Sequence, residues 1–104
     1  MKTTVVTDTA TIVAFGRKAR VHFVTISNTG TAGTEGELEL REAQNPAGDT
    51  GTLRWVARFL GTDSLVAHYE FGGDSGAAEG IEFDDGIRVV FDAMTNAQVT
   101  VGWS

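Results

Sequence analysis

Three groups of residues have types and spacings that could do chemistry. Gly73-Asp74-Ser75-Gly76 matches the short stretch around the nucleophile of trypsin-like serine proteases. The match stops there: the next residue is Ala77 rather than Gly, and 104 residues are too few for that two-barrel fold. A serine nucleophile also needs a base and an orienting acid brought to it. His22 and His68 are the only histidines, and neither has recognisable surroundings. A polar glycine loop accounts for the stretch better. Asp84-Asp85, with Asp74 and Glu82 nearby, could offer oxygens to Ca²⁺. Their spacing matches no calcium loop, and Asp-Gly is also what a tight turn requires. Two histidines without cysteine do not complete a tetrahedral metal site. No phosphate loop or dinucleotide fingerprint occurs. The expectation is therefore no catalytic residue, no metal and no cofactor: this is not an enzyme.

The elements that would position any such group are strands. Thr (14 residues) and Gly (13) are abundant, Pro occurs once, and no apolar periodic segment is long enough for a substantial helix. That mix suits short strands joined by turns. The clearest stretch is Thr52–Phe71. There Leu53, Trp55, Ala57 and Phe59 alternate with Arg54, Val56, Arg58 and Leu60, and Leu65, Ala67, Tyr69 and Phe71 alternate with Val66, His68 and Glu70. Period-two alternation places every second side chain on one face, so the two runs read as a hairpin joined by Gly61-Thr62-Asp63. Glu35–Glu42 alternates likewise, with Leu38 and Leu40 inward. Arg20–Asn28 is apolar on both faces, which predicts a doubly covered strand or a bulge. Thr3–Thr7 and Ala10–Phe15 are short β-rich runs, either one bent strand or an arm, and Gly16-Arg17-Lys18-Ala19 reads as a turn. Ile81–Phe83, Ile87–Phe91 and Val99–Trp103 complete the set, and both tryptophans fall on the core side.

Seven or eight strands with regular turns predict an all-β chain. Its fold would be a single antiparallel β-sandwich, jelly-roll or immunoglobulin-like, over residues 1–104, with 1–19 as an N-terminal arm or edge strand.

The net charge of −6 argues against nucleic acid and against an anionic membrane surface. Nothing at the start has signal-peptide length, and no segment approaches a membrane span. The charge is uneven. Residues 1–20 hold Lys2, Arg17, Lys18 and Arg20 against Asp8, a net +3, so residues 21–104 carry −9. On the outward side of the presumed hairpin, Val56, Leu60 and Val66 are apolar among Arg54 and Arg58. Apolar side chains framed by arginine are the composition of a protein contact. The expected partner interface is therefore Arg17, Lys18, Arg20, Arg54, Val56, Arg58, Leu60 and Val66.

Gly80-Ile81-Glu82-Phe83-Asp84-Asp85-Gly86-Ile87-Arg88-Val89-Val90, followed by Ala97-Gln98-Val99-Thr100-Val101-Gly102-Trp103, resembles small β-sandwich virion proteins of tailed bacteriophages. Ile26–Thr29, Leu38–Arg41 and Gly51–Leu53 are similar to earlier strands of that group. The resemblance implies a structural role in the virion: a capsid decoration or cement protein on the outer shell, or a neck, tail or head-fibre component. It implies the major capsid protein or other virion proteins as partners, a homo-oligomer, and assembly in the host cytoplasm. A carbohydrate- or receptor-binding sandwich is the alternative from another class.

Overall fold

The computed structural model describes residues 1–28, 35–47, 49–60, 65–72, 80–94 and 97–104, without the side chains of residues 28, 35, 59, 60, 65 and 66. The Gly73–Gly76 stretch, with Asp74 and Ser75, lies outside the described residues. So do the Gly61-Thr62-Asp63 connection and the side chains of Leu60 and Val66.

Nine strands are described: β1 (Lys2–Val6), β2 (Ala10–Val13), β3 (Ala19–Asn28), β4 (Glu35–Ala43), β5 (Thr50–Leu60), β6 (Leu65–Glu70), β7 (Ile81–Phe83), β8 (Ile87–Asp92) and β9 (Ala97–Trp103). One sheet has the order β1-β9-β3-β6, with β7 also paired to β3, and the other has the order β2-β8-β4-β5. All pairs are antiparallel. The pairs β1·β9, β2·β8, β3·β6 and β4·β5 are nested, as if one long hairpin had been wrapped into two layers. That is the strand order of a jelly roll, so of the two sandwich types expected the immunoglobulin-like one is set aside. The strand count exceeds seven or eight because residues 1–19 supply two edge strands, one to each sheet.

The Thr52–Phe71 hairpin is not formed. β5 pairs with β4 and β6 with β3, in different sheets. The inward parity nevertheless holds at Trp55, Ala57, Tyr69 and Phe71, while the side chains of Phe59 and Leu65 lie outside the described residues. Trp55 meets Tyr69 and Phe71 edge-on across the sandwich, with centroids 5.1 and 5.2 Å apart. The alternation stated which face each strand buries, and burial against the opposite sheet satisfies it as well as burial beside a hairpin partner. Leu53 departs from the expected parity: a register shift between Leu40 and Arg41 sets it opposite Arg41, and it is 42% exposed.

The core is mainly aliphatic. Val21, Val24, Ile26, Leu38, Leu40, Phe83, Ile87, Val89, Val99 and Val101 are fully buried. The bulge expected in β3 falls between Val21 and Phe23, opposite Trp103 and Gly102. It turns Val21, Val24 and Ile26 all inward and leaves Phe23 lying on Gly102. A Cβ on Gly102 would overlap the Phe23 ring, a half-buried side chain rather than backbone. Gly102→Ala is therefore expected to cost about 1–2 kcal/mol, read as a lower urea midpoint at unchanged slope.

Candidate interaction surface

With the interior filled by hydrocarbon, the functional side chains among the described residues stand on the two outer faces and at one end. Because β5 and β6 belong to different sheets, Val56 and Arg58 stand on one outer face while His68 and Glu70 stand on the other. The strip expected along one hairpin is thus divided between opposite sides of the molecule.

On the β2-β8-β4-β5 face, Val56 (39% exposed) and the half-buried Val90 flank Glu39 across the strands. Glu39 accepts from Arg41 Nε at 2.8 Å, and Glu37 from Arg58 Nε at 2.6 Å. The Glu39 hydrogen bond raises the pKa of Arg41 further, against the opposing effect of burial. Arg88 spans to Thr50 and Thr11 at 3.0 and 2.9 Å. Glu37, Glu39 and Asp92 can bring one oxygen each within 4.8 Å of one another. Both glutamates are paired with arginine, Glu37 across the strands with Arg58 and Glu39 along β4 with Arg41. Arg58 is 79% exposed, and the Arg58–Glu37 pair is worth little in high dielectric. Arg58→Ala should change the melting temperature hardly at all, about 0.5 kcal/mol or less by denaturant titration.

Arg54 does not stand free on this face. Its Nη2 is 2.7 Å from Glu42 Oε2 and 3.9 Å from Asp84 Oδ2. Glu42 is the one buried charged side chain among the described residues. Its Oε1 accepts the amides of Asp84 and Asp85 at 2.6 and 3.2 Å. Burial alone would raise its pKa, but the Asp84 amide, Arg54 and the Asp85 amide together outweigh it and the pKa is lowered. The Asp84-Asp85 turn weighed for calcium thus turns its amides to a carboxylate, with a guanidinium beside Asp84. Sequence reading gave Glu42 no role. The only available signal was an acid at an inward position of an alternating strand.

On the opposite face, Thr25 Oγ1 lies 2.7 Å from His68 Nδ1, and His68 Nε2 lies 3.1 Å from Glu70 Oε1. The His68 ring leans on Phe23 at 5.6 Å. A hydroxyl, an imidazole and a carboxylate in line resemble a nucleophilic triad. They lie on the open outer face of the sheet, on β3 and the edge strand β6. His22 is engaged elsewhere, with Nε2 2.6 Å from Ser104 Oγ.

The third region is the end of the sandwich where the β2–β3 turn, the β4–β5 loop and the last residues of β9 come together. Arg17 N bonds Ala14 O at 3.3 Å and Gly16 has φ +86°, the signature of a type II turn. This turn begins two residues before the one expected at Gly16–Ala19, and so Phe15 stands at its tip, 38% exposed. Arg17 and Lys18 are exposed beside it, while Arg20 is tied to Glu82 at 3.0 Å. Ile12, Phe15, Arg17, Pro46, Ala47 and Trp103 are among the residues around a groove of about 430 Å³. Pro46 was expected in a surface loop over Ala43–Gly51 and Phe15 at the end of a β-rich run, and neither was singled out as a contact residue.

No protein-family model matches this chain, and no curated protein or solved structure is significantly similar to it.

Proposed function

We propose that this chain is a structural protein of a tailed-phage virion, a decoration or cement protein bound to the outer capsid shell. The observation that carries the reading is the distribution of chemistry. The interior is filled mainly by aliphatic side chains, and among the described residues apolar groups framed by charge stand outside: Val56 and Leu53 among arginine–glutamate pairs, and Phe15 beside Arg17 and Lys18. Jelly rolls serve capsids, lectins and metal-holding enzymes alike, so fold alone does not choose among them. The likeness of residues 80–103 to phage virion proteins points to the first. Many copies on a lattice make modest patches sufficient, because avidity multiplies weak contacts. A self-associating oligomer with the major capsid protein as partner follows from the same reading.

The test is to purify particles from the host that produces this protein. Finding it there by mass spectrometry, and as added density on the outer shell by cryo-electron microscopy, is the expected result. Its absence from particles would sink the proposal, and density at the neck or tail would move the protein to those assemblies. The carbohydrate-binding alternative is favoured by one feature, the half-buried Trp103 at the edge of the groove. Glycan-array binding that disappears in a Trp103→Ala variant shown by circular dichroism to be folded would select it.

A further inference from the structure

The end of the sandwich around Phe15 and Trp103 is assembled from parts that are each held in place before anything binds. Gly16 sets the turn under Phe15, and Arg17 O accepts Gly86 N at 2.8 Å, anchoring that turn to the β7–β8 connection. Trp103 Nε1 donates to Thr4 Oγ1 at 3.0 Å, and Lys2 Nζ sits 4.9 Å from the indole centroid. Pro46 lies in a loop closed by Asn45 Oδ1, which accepts from Ala47 N at 3.1 Å, and by Gln44 N to Asp49 O at 2.7 Å. A second hollow of about 320 Å³, lined by Lys18, Ala19, Arg20, Glu82 and Ser104, adjoins the first through the consecutive residues Arg17 and Lys18. There Arg20 already holds Glu82, whereas no carboxylate among the described residues pairs with Lys18, Arg17 or Lys2.

We propose that this end docks an extended acidic segment of a partner protein that carries one bulky apolar side chain. The apolar residue rests against Phe15, Pro46 and Trp103, and flanking carboxylates meet Arg17 and Lys18. The identity of that partner as a shell protein rests on the function proposed above, but the docking chemistry does not. Charge complementarity selects the occupant. Residues 1–20 are net positive on a chain that is otherwise strongly negative, and three of their four cations meet no carboxylate among the described residues, while the exposed Phe15 lines the groove together with Arg17. A glycan is the poorer fit, because the described residues lining the groove carry no carboxylate or amide side chain to bind sugar hydroxyls. Preorganised walls mean that little freedom is lost when the segment binds.

The experiment uses ¹⁵N-labelled full-length chain titrated with capped eight-residue peptides that alternate Asp or Glu with small residues around a central Phe or Leu. The expected result is movement of the Trp103 indole N–H and the Phe15–Lys18 amides. Binding should fall about 10-fold or more in Arg17→Glu/Lys18→Glu and in Phe15→Ser, and weaken steeply with salt. Peptides with Gln in place of the acids should bind far less. The proposal is overturned if acidic peptides leave these resonances unmoved or bind the charge-reversed variant equally well. It is equally overturned if phosphatidylglycerol vesicles or oligosaccharides move them and peptides do not. Particle decoration separates the two ideas. A Phe15→Ser/Lys18→Glu variant that decorates shells as well as wild type removes the docking site and leaves the virion reading standing. Peptide binding here by a protein absent from particles does the reverse.

Discussion

Glu42→Ala should destabilise the fold by about 3 kcal/mol, a fall in melting temperature of roughly 15 °C for a domain of this size. The carboxylate is nearly buried and satisfies three donors at once: the Asp84 and Asp85 amides and the Arg54 guanidinium. Removing it leaves those amides and a half-exposed cation without their acceptor, and that loss, more than the missing attraction, sets the cost. Glu42→Gln keeps an acceptor for the amides and loses only the charge toward Arg54, so about half the effect is expected. The pH dependence has a definite sign. Since the native pKa is lowered, the unfolded chain binds the proton more readily. The contribution of Glu42 is complete above the unfolded-chain value of about 4.3 and is lost as pH falls through the lower native value. Urea midpoints measured from neutral pH down to pH ~2.5 should therefore fall more steeply for wild type than for Glu42→Gln across that acidic window. Parallel curves for the two proteins would refute the assignment.

Gly86→Ala should be at least as damaging, about 3–5 kcal/mol, a large share of the stability of a domain this small. Two costs coincide at this position. Gly86 has φ +94°, a conformation that L side chains rarely adopt. A Cβ there would also lie 2.6 Å from the backbone oxygen of Ala14. Backbone cannot rotate away as a side-chain end can, and the Gly86 amide holds Arg17 O, so the two segments cannot easily part. The neighbouring residues move with it: the 14–18 turn carries Phe15, Arg17 and Lys18. Loss of the folded signal in circular dichroism, or a melting temperature lowered by more than about 10 °C, is the expected reading. Gly16→Ala makes a useful comparison, since Gly16 shares the positive φ but a Cβ there meets nothing within 4 Å. Its cost should be confined to backbone strain, about 1–2 kcal/mol.

Much of the architecture was legible because period two is a local property. Leu38 and Leu40, Trp55 and Ala57, Tyr69 and Phe71, and Ile87 and Val89 each disclose a buried face within a few residues, and the sandwich follows from counting such faces. The bulge in β3 was legible for a related reason: no single register could bury Val21, Val24 and Ile26 together. The interaction surface was legible only as composition. Arg17 and Lys18 were visible as cations beside a turn, but that Phe15 would share a groove with Pro46 and Trp103, residues far apart in the chain, was not.

By itself the sequence determined the all-β class, the inward side of most strands, the absence of cysteine chemistry and the polarity between a basic start and an acidic remainder. Tertiary structure alone decided which strands pair. Alternation is equally content with a hairpin neighbour or an opposing sheet, and only closing both layers around one core sent β5 and β6 apart. It also decided the fate of charge. Whether Arg54 would face a partner or bind Glu42 depends on a register shift in β5 that places the two within 2.7 Å, a distance no local pattern encodes.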